Sequence, residues 1–370
     1  MKSKSRKYLE FAVLLGLAIA IFWWFGRSLN WTEVGLALSQ TDRSLLILAV
    51  LVICVAYVFR ACRWGALLAP VGPTKLRHLF AATTVGFGAV FLIGRMGEVV
   101  RPVYLPMRDP KVRPSASFVT IMVERIYDLV AVVVLFSANL IWFKPAGNVG
   151  AEFSQVRSAG IVLLVLALAG VAGLVWFRRK SSSAIRWVDK LINRLHFVPA
   201  RLRRAVIGIL EQLARALRVL VDARELAVTI GWTAAVWIGI AIANLLVLRA
   251  FGLPFGMGET LFVLGWSLVG SLVPTPGGAA GAFHAATAAS LIFLGVARET
   301  AAAISIVLHL VDFGPAVVFG FFYFVRGDIN LKRLGSLASP AAVEHAVEDE
   351  STAPDDVLRE QEFQTVSTSD

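Results

Sequence analysis

Long apolar segments separated by short polar stretches make up most of this chain. Such segments predict membrane-spanning helices, because about 20 consecutive apolar residues are needed to cross a hydrocarbon core of about 30 Å. Six segments reach the required length: 8–25, 44–69, 115–142, 158–177, 226–248 and 301–325. The pattern therefore predicts an all-α polytopic membrane protein with about six full spans.

Two further apolar regions do not fit a single crossing. The first, Leu79–Gly94, would form only about 24 Å of helix, with Gly86 and Gly88 as a place to turn. The second, 259–296, is interrupted by the helix-ending sequence Pro274-Thr275-Pro276-Gly277-Gly278. Both regions are predicted to be re-entrant hairpins, which are tolerated at membrane depth only where protein or water surrounds the backbone.

The distribution of positive charge favours the same topology, because cytoplasmic loops accumulate Lys and Arg. The first hairpin is basic on both flanks, with Arg60, Arg63, Lys75 and Arg77 before it and Arg95, Arg101, Arg108, Lys111 and Arg113 after it. If both termini are cytoplasmic, basic loops alternate with weakly charged loops along the chain only when this hairpin enters and leaves the membrane on the same side. The halves, about 1–143 and 158–330, then share one plan in opposite orientation. Such an inverted repeat is a transporter architecture.

Two regions are predicted to lie outside the spans of the transmembrane domain, 1–330. The loop 178–224 contains twelve basic and three acidic residues and two apolar stripes. It is predicted to form amphipathic helices on the inner leaflet, with a regulatory domain as the alternative. The tail 331–370 is predicted to be disordered, since its last thirty residues contain nine acids and few large apolar side chains.

Composition argues against several function classes. Only 16% of the residues are charged, against about 25% in soluble domains. The net charge of +11 is explained by loops that face anionic lipid, so no nucleic-acid partner is expected. Enzyme motifs such as G-x-S-x-G, the P-loop and H-E-x-x-H are absent from the sequence. No enzymatic activity, cofactor or metal site is therefore predicted.

Charged residues inside the predicted spans are the candidates for function, because each costs about 2.5–3.5 kcal/mol to insert. Glu124, Arg125 and Asp128 lie in span 115–142, with the two acids on one helical face. They predict either a structural salt bridge to Arg95 or Arg101 or a functional charge network, and one network can serve both roles.

The last span offers a second candidate, since His309 and Asp312 are separated by three residues. This spacing fits a proton relay, and it equally fits a hydrogen bond that only packs helices. His284, after the Pro-Gly turn, is a weaker candidate.

An anionic headgroup site is suggested by the two hairpins. Arg95 and Arg101 suit phosphate because guanidinium offers forked donors, although either could instead extend to the inner leaflet, Arg101 more readily than Arg95. Gly277 and Gly278 begin a helix whose N-terminal amides could bind an anion, and their alternative role is simply to make the turn.

Three motifs occur in order along the chain: Gly94-Arg95-x-Gly97-Glu98-x-x-Arg101, Val123-Glu124-Arg125-x-x-Asp128-Leu129 and Pro274-x-Pro276-Gly277-Gly278. Through these motifs the chain resembles the flippase-like transmembrane family, and the resemblance covers about residues 8–330. This family comprises the membrane half of lysylphosphatidylglycerol synthase/flippase and its stand-alone relatives. The resemblance implies lipid translocation without lysyl-lipid synthesis, since the aminoacyl-transferase domain is missing. His284 stands near the position where the family usually has an acid, which bears on headgroup preference.

These observations predict a multi-pass protein of the bacterial inner membrane that moves an anionic or modified phospholipid, or a polyprenyl-phosphate carrier, between leaflets. The expected headgroup site is made by Arg95, Glu98, Arg101, Gly277 and Gly278. The alternatives are a membrane enzyme that modifies lipid headgroups and a scaffold that recruits partners through its basic loop and acidic tail. The expected partner is the lipid substrate, with a second copy of the chain and a separate lipid-modifying enzyme as further candidates.

Overall fold

The computed structural model describes residues 30–69, 72–112, 114–143, 223–273 and 279–326, with scattered residues between 157 and 190. The predicted span 8–25, most of the loop 178–224, the turn 274–278 and the tail 331–370 lie outside the described residues. Span 158–177 is described only in part, and those parts are helical.

The described residues form helices and contain no strand, which confirms the all-α prediction. The helices are α1 (Trp31–Ser39), α2 (Arg43–Leu68), α3 (Leu76–Ile93), a 3₁₀ segment (Gly94–Val99), α4 (Val100–Arg108), α5 (Pro114–Trp142), α6 (Ala223–Ala250), α7 (Met257–Ser271), α8 (Ala280–Phe293) and α9 (Arg298–Val325). Within the described residues, three stretches are long and apolar enough to cross a membrane: Arg43–Leu68, Leu226–Ala250 and Arg298–Val325. Helix α5 is 29 residues long and carries three charged residues.

Helices α2 and α6, the first long described helix of each half, run antiparallel. At one end, the backbone N–H of Asp42 donates to the carbonyl of Ala250 at 2.9 Å. Toward the other end, Arg63 Nη1 lies 3.5 Å from Thr233 Oγ1. Buried apolar side chains from both helices belong to one hydrophobic cluster that also includes residues of α7, α8 and α9.

Helices α3 and α4 form a closed hairpin, with the 3₁₀ segment as the turn. A Cβ atom on Gly97 would lie 2.3 Å from the backbone nitrogen of Val90, and one on Gly86 would lie 2.6 Å from the Cβ of Arg101. The prediction that Gly86 and Gly88 supply the turn is wrong, because both lie inside α3. Their small size instead allows close packing against α4 and α9.

Helices α7 and α8 form a second hairpin, as the Pro-Gly break predicts. Ser267 Oγ lies 2.8 Å from Thr287 Oγ1 across the pair. A Cβ atom on Gly270 would lie 2.5 Å from the carbonyl oxygen of Ala282, so the two helices are in backbone contact.

Each hairpin packs against the last long helix of the other half. Helix α3 contacts α9 where a Cβ on Gly320 would lie 2.6 Å from the carbonyl oxygen of Thr84. Helix α7 contacts α5, where Asn139 Nδ2 donates to the carbonyl of Gly258 at 2.9 Å. The packing pattern is therefore the same when the halves are exchanged, and it places the polar side chains of α5 and α9 beside the hairpins.

Candidate functional site

Glu124 and Asp128 are buried on one face of α5, as their spacing predicts. Arg101 reaches Glu124 from α4 through a forked contact, with Nη1 donating to Oε1 at 2.6 Å and Nη2 donating to Oε2 at 2.9 Å. Arg101 is only 3% exposed. The alternative in which Arg101 extends to the inner leaflet is therefore wrong, because its guanidinium is held inside by Glu124.

Arg63 joins the same cluster from α2. Its Nη1 donates to Asp128 Oδ1 at 2.6 Å and its Nη2 to Oδ2 at 3.2 Å, while Nη2 also lies 3.0 Å from Glu124 Oε1. Arg63 was expected on the basic flank of a hairpin, and that expectation is wrong because the residue is 0% exposed. Its position inside the apolar segment 44–69 was the signal that could have identified it.

Arg125 completes the cluster and is its most exposed member. Its Nη2 lies 2.8 Å from Glu124 Oε1 and 3.3 Å from Asp128 Oδ2, with 36% of the side chain exposed. Three arginines and two carboxylates leave a formal charge of +1. Buried charges are tolerated only when they are paired in this way.

Two tryptophans support the cluster. Trp237 Nε1 donates to Asp128 Oδ1 at 3.3 Å. Trp64 places its ring 4.2 Å from the guanidinium carbon of Arg101, and its own Nε1 donates to Thr120 Oγ1 at 3.0 Å. These contacts fix the orientation of Arg101 and Asp128 in addition to the ion pairs.

A partly open cavity lies beside the cluster, lined by Gly86, Phe87, Val90, Glu98, Arg101, Ile121 and Arg125. The charged lining comprises one acid from the 3₁₀ segment and two arginines of the cluster. The Phe87 ring forms part of the wall, and the guanidinium carbons of Arg60, Arg101 and Arg125 lie 4.6, 5.8 and 5.9 Å from its centroid. The cavity is therefore lined by charges of both signs beside an aromatic wall.

The predicted headgroup residues are placed only in part. Glu98 and Arg101 line the same cavity. Arg95 belongs to the 3₁₀ segment, but its side chain lies outside the described part of the structure. Gly277 and Gly278 also lie outside it. The structure thus places the first hairpin against α5. The part of the predicted site that involves Gly277 and Gly278 is not tested.

The polar residues of α9 contact other helices instead of each other. His309 Nδ1 lies 3.3 Å from His284 Nε2 of α8. Arg60 and Asn244 are the polar neighbours of the Asp312 carboxyl group, and Tyr57 Oη donates to the Asp312 carbonyl at 2.9 Å. The direct partner of His309 is therefore His284 and not Asp312, the residue that its spacing on the helix suggested.

Comparison with known proteins agrees with the motifs. The family model described as the lysylphosphatidylglycerol synthase TM region matches residues 10–320. A search of curated proteins finds no match. The matched region includes the charge cluster and the cavity. Of the three described helices that are long and apolar enough to cross a membrane, it includes two completely and most of the third. The chain is a multi-pass membrane protein and belongs to the family of lysylphosphatidylglycerol synthase transmembrane regions.

Proposed function

We propose that this protein moves an anionic or modified phospholipid, or a polyprenyl-phosphate carrier, between the leaflets of a bacterial inner membrane. The observation that carries the proposal is the cavity beside the buried cluster. Arg125 is both a member of the cluster and part of the cavity wall. A phosphate that enters the cavity would contact the guanidinium of Arg125. This cation is already in place in the cluster, so the protein does not have to move another cation out of water to bind the phosphate.

Glu98 on the same wall favours a headgroup that carries both charges. A carboxylate attracts an ammonium group, while Arg101 and Arg125 attract a phosphate. A modified phospholipid with an amine on its headgroup could pair its ammonium with Glu98 and its phosphate with Arg101 and Arg125. A plain anionic headgroup would use only the arginines.

The proposed membrane arrangement has six spans, two re-entrant hairpins and halves of opposite orientation, with both termini in the cytoplasm. Two observations support this arrangement: α2 and α6 pack antiparallel, and each hairpin packs against the last long helix of the other half. Broken helices that meet near the membrane centre are where such transporters bind their substrates.

The topology predicts which loops are accessible from each side. Single cysteines near Gly72 and Arg108 should react with a membrane-impermeant maleimide only from the cytoplasmic side. Cysteines near Gly256 and Arg298 should react only from outside. The native Cys54 and Cys62 are first replaced by serine. Opposite labelling within either pair of positions would contradict the hairpin topology.

Glu98→Gln should reduce lipid movement by about 10–100-fold, because a hydrogen bond to a charged group contributes about 1.5–3 kcal/mol. The assay follows a phospholipid that carries NBD on an acyl chain and a free amine on its headgroup, in proteoliposomes, with dithionite bleaching the outer leaflet. Glu299→Gln, an acid in the first turn of α9, is the matched control and should retain activity. Equal rates for both variants would remove Glu98 from the site. Mass spectrometry should find the vesicle lipids chemically unchanged, and a change in lipid mass would favour an enzyme.

A further inference from the structure

The second half contains a polar cluster at positions that correspond to the charge cluster of the first half. Counted from Pro114 and Arg298, Asp128 and Asp312 are each the fifteenth residue of their helix. Arg63 is the twenty-first residue of α2, and Asn244 is the twenty-second of α6. The return helix of each hairpin adds one cationic or titratable residue, Arg101 in α4 and His284 in α8.

The two clusters differ in how their acids are paired. Both oxygens of Asp128 contact Arg63, and Arg125 and Trp237 add further contacts. Asp312 Oδ1 is buried and, within the described residues, has no hydrogen-bond partner. The first cluster therefore cannot accept a proton without leaving buried arginines unpaired, whereas the second can.

The groups that face the second cluster come from five helices. Helix α2 contributes Tyr57 and Arg60, α6 contributes Asn244, and α8 contributes His284. Helix α3 contributes the ring of Phe91, 5.4 Å from the ring of His309. The fifth helix is α9 itself, which carries His309 and Asp312.

We propose that the His284–His309 pair and Asp312, one helical turn from His309 on α9, bind protons and that their protonation drives lipid movement. The hydrogen bond between the two imidazoles needs one ring nitrogen without a proton as its acceptor. When both rings are protonated, the acceptor is lost and two positive charges stand about one hydrogen bond apart. The second hairpin then loses a contact that holds it to α9.

Arg60 connects the proton site to the cavity. Its guanidinium is attracted by both Asp128 and Asp312 and lies over the Phe87 ring of the cavity wall. A proton on Asp312 cancels one of the two attractions, so Arg60 becomes available to an anion in the cavity. By linkage, an anion bound there favours protonation of Asp312. This coupling rests on the proposed lipid movement, whereas the proton site itself does not.

The proton site can be tested without transport. Dicyclohexylcarbodiimide reacts with protonated carboxyl groups in apolar surroundings, and mass spectrometry locates the adduct. In the detergent-purified chain, Asp312 should be labelled increasingly as pH falls from about 8 to about 5. Glu124 and Asp128, paired with arginines in the same molecules, should remain unlabelled. His309→Gln and His284→Gln should each shift the midpoint of Asp312 labelling. Size-exclusion chromatography checks that these variants are folded.

Absence of labelling at Asp312, labelling that does not change with pH, or equal labelling of Asp128 would overturn the proton site. A midpoint unchanged in both histidine variants would remove the histidines from it. In proteoliposomes, a pH gradient should accelerate movement of the NBD-labelled phospholipid by the wild type and not by Asp312→Asn. Equal acceleration in both would overturn the coupling alone. No movement by the wild type under any gradient would overturn the proposed function and the coupling, with the labelling result still deciding the proton site.

Discussion

Glu124→Gln is expected to lower the free energy of unfolding by about 3–5 kcal/mol, the cost of removing one partner from a buried ion pair. Glu124 Oε1 lies within 3.0 Å of nitrogens from Arg63, Arg101 and Arg125. The neutral amide would leave these arginines with Asp128 as the remaining acid of the cluster. Thermal unfolding and denaturant titration of the detergent-purified protein measure the loss.

Arg125→Gln is the control for this prediction. Without Arg125, the two acids of the cluster keep their contacts with Arg63 and Arg101, so its loss should cost less than the loss of Glu124. The double variant Arg101→Gln/Glu124→Gln should lose less than the sum of the single variants, because the two groups contact each other. Equal destabilisation by Glu124→Gln and Arg125→Gln would show that Glu124 does not hold the cluster together.

The long helices within the described residues could be predicted closely from sequence. The predicted segments 44–69 and 301–325 correspond to Arg43–Leu68 and Arg298–Val325. These boundaries are accurate because the apolar runs are long and are bounded by charged residues or, after Leu68, by Pro70 and Gly72. The break at Pro274 likewise separates α7 from α8. Local composition is sufficient for such features, since they depend on neighbouring residues only.

The charge cluster could be predicted only in part. A charge within an apolar run is visible in sequence, which identified Glu124 and Asp128. Arg63 was missed because counting positive charges near span ends does not distinguish a cytoplasmic arginine from a buried one. Its partners lie more than 60 residues away on α5, and which helices pack together is decided by tertiary structure.

The histidine contact shows the same limit. The separation of His309 and Asp312 by three residues suggested that they act together, because such residues share a helical face. His309 instead meets His284, 25 residues away on the neighbouring hairpin. The hairpin geometry that joins them depends on close backbone contacts such as that of Gly270 with Ala282. A single sequence does not show which glycines make such contacts.

Gly97→Ala should disrupt the first hairpin and with it lipid movement. A Cβ at this position would lie 2.3 Å from the nitrogen of Val90 and 2.4 Å from the carbonyl carbon of Ala89. These are backbone atoms of α3, which cannot rotate away as a side chain could. Overpacking of this kind costs about 1–3 kcal/mol or more. Relief requires the 3₁₀ segment to move away from α3, which would displace Glu98 from the cavity and Arg101 from Glu124.

Gly314→Ala provides the matched comparison, since a Cβ on Gly314 in α9 would meet no atom within 4 Å. Alanine is favoured over glycine inside a helix by about 0.5–1 kcal/mol, so this variant should be as stable as the wild type or more so, with normal transport. The two variants add the same methyl group and are compared by thermal unfolding and by the NBD-phospholipid assay. If Gly97→Ala kept both wild-type stability and wild-type transport, the close contact between the 3₁₀ segment and α3 would not be what positions Glu98 and Arg101. If it kept stability and lost transport, the hairpin would be needed for lipid movement more than for the fold.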